Sequence, residues 1–273
     1  MSPILLHLIP ATLYAGLGVW FWRGIRKNPG TLYRMSTVER SILLLTLVIQ
    51  GFALHSELFH GNEMRFGFGL AISLMIWLAI CFYWIEALYT RLDGLHAVII
   101  PSGLFASLIP ILFPGEHVLA NAGTLAFRAH FIMAMLAYSL FVLAAMHALL
   151  MAMVERRLHT RRFSKTYVSL PPLLTMESML FRLITAAFVL LTLTLVSGMS
   201  FSELLFGKPF RLDHKTFFAI VTWILFGVLL VGRHIWGWRG KRALRWTLAG
   251  FVALMLTYVG TRFVIEIVLQ KVS

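Results

Sequence analysis

The chain has 273 residues, 59% of them hydrophobic and 13% charged, with a formal charge of +13 and a mean hydropathy of +0.84. A soluble domain carries about 25% charged residues, so this composition excludes an ordinary water-soluble globule. The basic excess is a poor sign of nucleic-acid binding, because Lys and Arg sit in short clusters between apolar runs. Those runs have the length that crosses a bilayer, roughly 17–25 residues.

In chain order the runs predict helices over about 4–22, 38–57, 67–90, 95–113, 128–153, 179–199, 216–235 and 246–269. Their unbroken apolarity, without alternation, favours helices over barrel strands. The expected fold is an all-α, polytopic membrane helical bundle of eight transmembrane helices, a single membrane domain over 1–273. Asn28-Pro29-Gly30, Pro114-Gly115, Pro171-Pro172 and Gly207-Lys208-Pro209 punctuate the runs. The longest polar interval, Val154 to Ser178, is too short for a soluble domain. Pro101 and Pro110 lie inside the fourth run, where neighbouring helices must satisfy the freed carbonyls.

The positive-inside rule sets the expected orientation. Odd-numbered loops hold 17 of the Lys and Arg residues and the other side holds 7. Odd loops are therefore expected in the cytoplasm and both termini on the outer, periplasmic side of a bacterial inner membrane. The first run lacks a preceding basic region and is followed by Arg23, so it reads as a retained anchor. Trp20, Trp22, Trp236 and Trp238 fall at cytoplasmic ends and read as interface anchors.

Ionisable groups at membrane depth need a reason, which makes the histidines informative. His55 and His130 fall just inside the outer ends of the second and fifth runs, and His214 opens the seventh. Three helices thus bring imidazoles to one level, and imidazole is a usual axial ligand of haem iron. His130 and His147 share a helix but are separated by about 25 Å along its axis, so they cannot serve one iron. His7, His60, His117 and His159 read as loop or terminal residues. Arg128 and Lys215 are candidate partners for haem propionates, alongside Arg65, Lys208 and Arg211. Arg262 and Glu266 are spaced to pair within the last helix. No GxGxxG, Walker, HExxH or GxSxG pattern is present. The single Cys81 excludes an internal disulfide, a cysteine-based zinc site and a CxxCH haem attachment.

Several segments together resemble the cytochrome c assembly proteins, the CcsA/ResC/CcmC haem-handling family, and within it the YpjD/HemX-like inner-membrane branch. Phe127-Arg128-Ala129-His130 with Met135-Leu136-Ala137-Tyr138-Ser139 resembles the family's first external haem-ligand helix. Leu170-Pro171-Pro172-Leu173-Leu174-Thr175-Met176-Glu177 resembles the branch's PPL-x-x-ME linker. Asp213 through Trp223 is similar to the tail of the tryptophan-rich WWD motif, and Gly237 to Arg242 to the basic loop before the last helix. The likeness covers about 38–270 and is best over 123–260.

The resemblance implies haem b bound or handled at the outer face, in cytochrome c assembly or haem delivery, with His130 as an axial ligand. His55 or His214 is the second candidate, and a membrane partner would present the apocytochrome. The chain departs from the family in having no Trp in 199–212, His214 in place of Pro, Val231 at a membrane histidine position, and no His after Gly260. The alternative is a cofactor-free accessory subunit of another membrane protein or of haem biosynthesis.

Overall fold

The computed structural model describes residues 3–27, 35–60, 63–89, 94–114, 118–119, 122–159, 173–200 and 214–260. The Arg262–Glu266 pair, His117, Lys208, Arg211 and the WWD-like segment up to Asp213 lie outside the described residues. Eight α-helices are described: α1 (Pro3–Lys27), α2 (Thr37–Leu58), α3 (Phe68–Tyr89), α4 (His96–Leu112), α5 (Leu125–His159), α6 (Leu173–Ser200), α7 (His214–Trp236) and α8 (Gly240–Met255). A π-helical turn, Leu256–Gly260, continues α8. Six of them, α1–α3 and α5–α7, are long and apolar enough to cross a membrane; α4 is a shorter apolar helix of 17 residues. The polar interval expected from Val154 to Ser178 is shorter than predicted. α5 continues to His159, and α6 takes up the chain at Leu173, so Glu177 is helical.

α1 to α4 close a ring in which α1 packs on α2 and α4, and α3 packs on the same two helices. α5 to α8 close a second ring: α5 and α7 each pack on α6 and α8. The main seam between the rings is α3 against α5. Successive helices run antiparallel, so the starts of α1, α3, α5 and α7 share one end of the bundle with the termini of α2, α4 and α6. At that end a two-stranded hairpin, β1 (Phe59–His60) and β2 (Glu63–Met64), follows α2. Its far edge ties down the α4–α5 connection through a bridge from Arg65 to Val118 and a 2.8 Å bond from the Leu119 N–H to the Met64 carbonyl.

Small residues set the helix spacing, as expected where apolar burial alone does not drive helices together. A Cβ on Gly103 of α4 would stand 2.4 Å from the Tyr14 ring of α1, and one on Gly250 of α8 would stand 2.8 Å from Phe226 of α7. Indole N–H groups are satisfied across helices: Trp77 donates to the Leu47 carbonyl at 2.8 Å and Trp84 to that of Arg40 at 3.1 Å. Trp20, Trp22 and Trp236 are exposed, as interface anchors would be. Trp238 is different, because it packs on Gly232 and lies between Trp236 and Trp246.

α2 starts on a capping box. Ser36 Oγ accepts from the Glu39 N–H at 3.2 Å, and the Ser36 N–H donates to Glu39 Oε2 at 2.7 Å. Ser36→Ala is expected to lower stability by about 1 kcal/mol, read as a shift in unfolding of the detergent-solubilised protein.

Candidate functional site

α5 carries the two residues that sequence patterns singled out most strongly, and it presents them to opposite sides. Arg128 and His130 are two residues apart, a rotation of about 200° around a helix. His130 faces α6. Its Nδ1 lies 2.8 Å from Ser197 Oγ, and Gly198 leaves room for the ring: a Cβ there would stand 3.3 Å from His130 Cε1. The Ser197 hydroxyl in turn donates to the Thr194 carbonyl at 3.0 Å. When the Ser197 proton goes to Thr194, Nδ1–H is the donor to Ser197 and the neutral ring carries its lone pair on Nε2. The arrangement is the one a metal-ligating imidazole needs, since a second-shell acceptor on one nitrogen fixes the tautomer and aims the other.

Arg128 faces the other side. Its Nε donates to the Ala122 carbonyl at 3.1 Å, and its side chain caps an apolar slot of about 390 Å³. Leu58 and Phe59 from the end of α2, Met64 from the hairpin, Leu74 and Leu78 from α3, and Phe131 and Met135 from α5 line this slot. A cavity of this size, apolar with one charged group, has the make-up of a small-molecule site. His55 is exposed, its ring 5.0 Å from that of Phe59, which lines the slot. His214 is exposed as the first residue of α7, and Lys215 beside it is half-buried. α7 packs on α6 and starts at the end of the bundle where α6 ends, so His214 and Lys215 share that end with His130. The three imidazoles thus lie at one end of the bundle. Among the described residues no group of three or more His, Cys, Asp or Glu is placed to hold a metal ion.

The profile of the family described as "Cytochrome C assembly protein" matches residues 35–269. The chain belongs to the cytochrome c assembly protein family. It is similar to the inner membrane protein YpjD of Escherichia coli K12, 27% identical over 250 residues, spanning 90% of this chain and 92% of that one. An Azospirillum brasilense protein of 28.8 kDa is 29% identical over 212 residues, 75% of this chain and 78% of its own. The cytochrome c biogenesis protein CcsA of Gloeobacter violaceus is 29% identical over 92 residues, 34% of this chain and 27% of that protein. No solved structure matches. Membership of this assembly family, the likeness to YpjD and the six long apolar helices make the chain a multi-pass inner-membrane protein.

Sequence patterns missed several polar residues. His7 reads from sequence as a terminal residue, yet it lies in α1, is 1% exposed, and has Nε2 2.9 Å from Glu57 Oε1. The geometry is off the N–H axis, so this is an electrostatic contact and not a directed hydrogen bond. His147 of α5 is equally buried, with Nε2 3.8 Å from Glu86 Oε2 of α3 at the seam. Ser197 had no motif to mark it. The signal available for His7 was its spacing, since His7, Tyr14 and Phe21 recur every seventh residue.

Proposed function

We propose that the protein binds haem b at the end of the bundle where α5 begins, facing the outer side of the inner membrane, and serves cytochrome c assembly or haem delivery. The observation that carries this reading is the chain from His130 through Ser197 to the Thr194 carbonyl, which orients the imidazole and leaves its Nε2 lone pair as the ligating group. His214 is the second ligand that fits best, because α7 packs on α6, the helix that His130 faces, and Lys215 is the propionate partner there. Arg128 caps the slot on the opposite face of α5 and His55 stands beside Phe59 of that slot, so they rank below the α7 residues for a haem on His130. When bound, haem would supply the cargo or the redox centre. The protein's own residues would ligate it, orient it and neutralise its carboxylates. A membrane partner would present the apocytochrome, and eight spans with both termini outside would place His130 on that side.

The test is an absorption spectrum of the detergent-purified protein, oxidised and reduced, with a pyridine haemochrome assay. Wild type is expected to carry a b-type signal that is lost in His130→Ala. Ser197→Ala is expected to weaken haem binding about 10–100-fold while leaving some signal, the usual effect of removing a second-shell partner. Full haem content in His130→Ala would end the proposal. A wild type without haem after growth with haem precursor would favour the cofactor-free accessory subunit, to be followed by identifying what copurifies.

A further inference from the structure

The haem reading uses the second ring; buried polar groups occur in both rings, and in the first a set of them lines up along α1. On α1, His7, Tyr14 and Phe21 share one face at levels about 10.5 Å apart. On α2, Glu57 and Gln50 stand opposite the first two levels, and Glu39 is near the third. The Tyr14 hydroxyl donates to Gln50 Oε1 at 2.9 Å, and His7 contacts Glu57 at 2.9 Å. At the third level His96 of α4 meets the edge of Phe21, ring centroids 4.4 Å apart, within electrostatic reach of Glu39. Ser73 of α3 and Ser107 of α4 are fully buried between the first two levels.

A ring built only for packing would not hold such groups. His7, Tyr14, Gln50, Ser73 and His96 are all at most 2% exposed. His7 Nδ1, Gln50 Nε2 and Ser73 Oγ are buried with no hydrogen-bond partner among the described residues. Each carries a desolvation cost that apolar neighbours do not repay. Buried polar groups grouped in this way are met by internal water. Ionisable pairs towards both ends with a hydroxyl between them are the components of a proton relay.

We propose that the α1–α4 ring carries a hydrated proton-transfer path from the His7–Glu57 pair, through Tyr14, to the His96–Glu39 pair. A proton taken up at His7 or Glu57 moves through water past Ser73 and Ser107 to the Tyr14 oxygen. The Tyr14 hydroxyl then turns out of its bond to Gln50 Oε1 and releases its own proton to water, which carries it over the next level of about 10.5 Å to His96 and Glu39. These pass it to the far face, and return of the hydroxyl to Gln50 restores the starting state. Only O–H and N–H bonds are exchanged, and no group is left with altered charge. Gln50 is a positioning residue that holds the Tyr14 hydroxyl on the path.

The purified protein would be reconstituted into liposomes enclosing pyranine, with a potassium diffusion potential, negative inside, set by valinomycin. Wild type is expected to acidify the interior faster than protein-free liposomes. Tyr14→Phe keeps the ring against Gly103 and removes only the hydroxyl. It is expected to cut the protein-dependent rate about tenfold, the equivalent of about 1.4 kcal/mol in a barrier. His7→Gln is expected to slow it too, and Thr12→Ala, on the exposed face of α1, to leave it unchanged. Gel filtration and circular dichroism report folding, and if Tyr14→Phe misfolds, His7→Gln decides. A wild-type rate equal to that of protein-free liposomes would overturn the proposal, as would a rate undiminished by both substitutions.

Discussion

Arg233→Ala is expected to destabilise the protein by about 3–5 kcal/mol, the usual cost of stripping the partner from a buried charge. The carboxylate left behind is that of Glu177, whose side chain is 8% exposed near the start of α6. Arg233, in the last turn of α7, donates to Glu177 Oε1 and to the Trp238 carbonyl, and lies 4.7 Å from the centre of the Phe181 ring. Arg239 is 3.6 Å from the same carboxylate oxygen but is 63% exposed, so its attraction is screened and replaces little. The reverse change should cost less. With Glu177→Gln, the guanidinium keeps its carbonyl and ring contacts and remains 26% exposed, so about 1–2 kcal/mol is expected. Glu177→Leu combined with Arg233→Met should recover most of the loss, because no lone charge remains. Unfolding in detergent, followed by the fluorescence of stacked Trp236 and Trp238, ranks the three. A loss from Glu177→Gln equal to that from Arg233→Ala would contradict this account.

Gly69→Ala is expected to cost about 1–3 kcal/mol by overpacking the junction of α3 with the end of α4. The new Cβ would stand 2.5 Å from the Phe113 carbonyl oxygen, 3.2 Å from Pro110 Cα and 3.3 Å from the Ile109 carbonyl oxygen. All three are backbone atoms, so no rotamer change relieves the contact. The Phe113 N–H also closes α4 on the Ile109 carbonyl at 2.9 Å, and displacing either end strains that bond. Gly16→Ala is the control: nothing lies within 4 Å of its Cβ, and helix propensity favours Ala by up to about 1 kcal/mol. The two substitutions should therefore shift the unfolding midpoint in opposite directions. A Gly69→Ala midpoint at or above wild type would show that the two helices separate freely there.

Hydropathy made the bundle legible, since unbroken apolar runs of this length have few other fates. Helix ends were less accessible. The basic run after Val154 and the Pro171-Pro172 pair read as one long loop, whereas α5 extends five residues beyond Val154 and α6 begins directly after Pro172. His130 was visible because it sits within a family motif. Its orientation was not: a residue number fixes the level on a helix, while the neighbouring helix decides what the side chain meets. The separation of Arg128 from His130 follows from helical geometry alone, yet which side belonged to α6 required the packing. His7 and Glu57 were overlooked because each is isolated in sequence, and only the pairing of α1 with α2 sets them side by side.

The two-ring arrangement has a consequence for biosynthesis. Every helix of the first ring precedes every helix of the second, and the contacts that close it join α1 to α4 before α5 is reached. A chain leaving the ribosome can therefore complete one compact unit while the remainder is still being made. The second unit then has a finished surface, α3, against which α5 docks as it enters the bilayer. Cutting the gene in the connection between α4 and α5 should give two fragments that each insert and then reassociate along that seam.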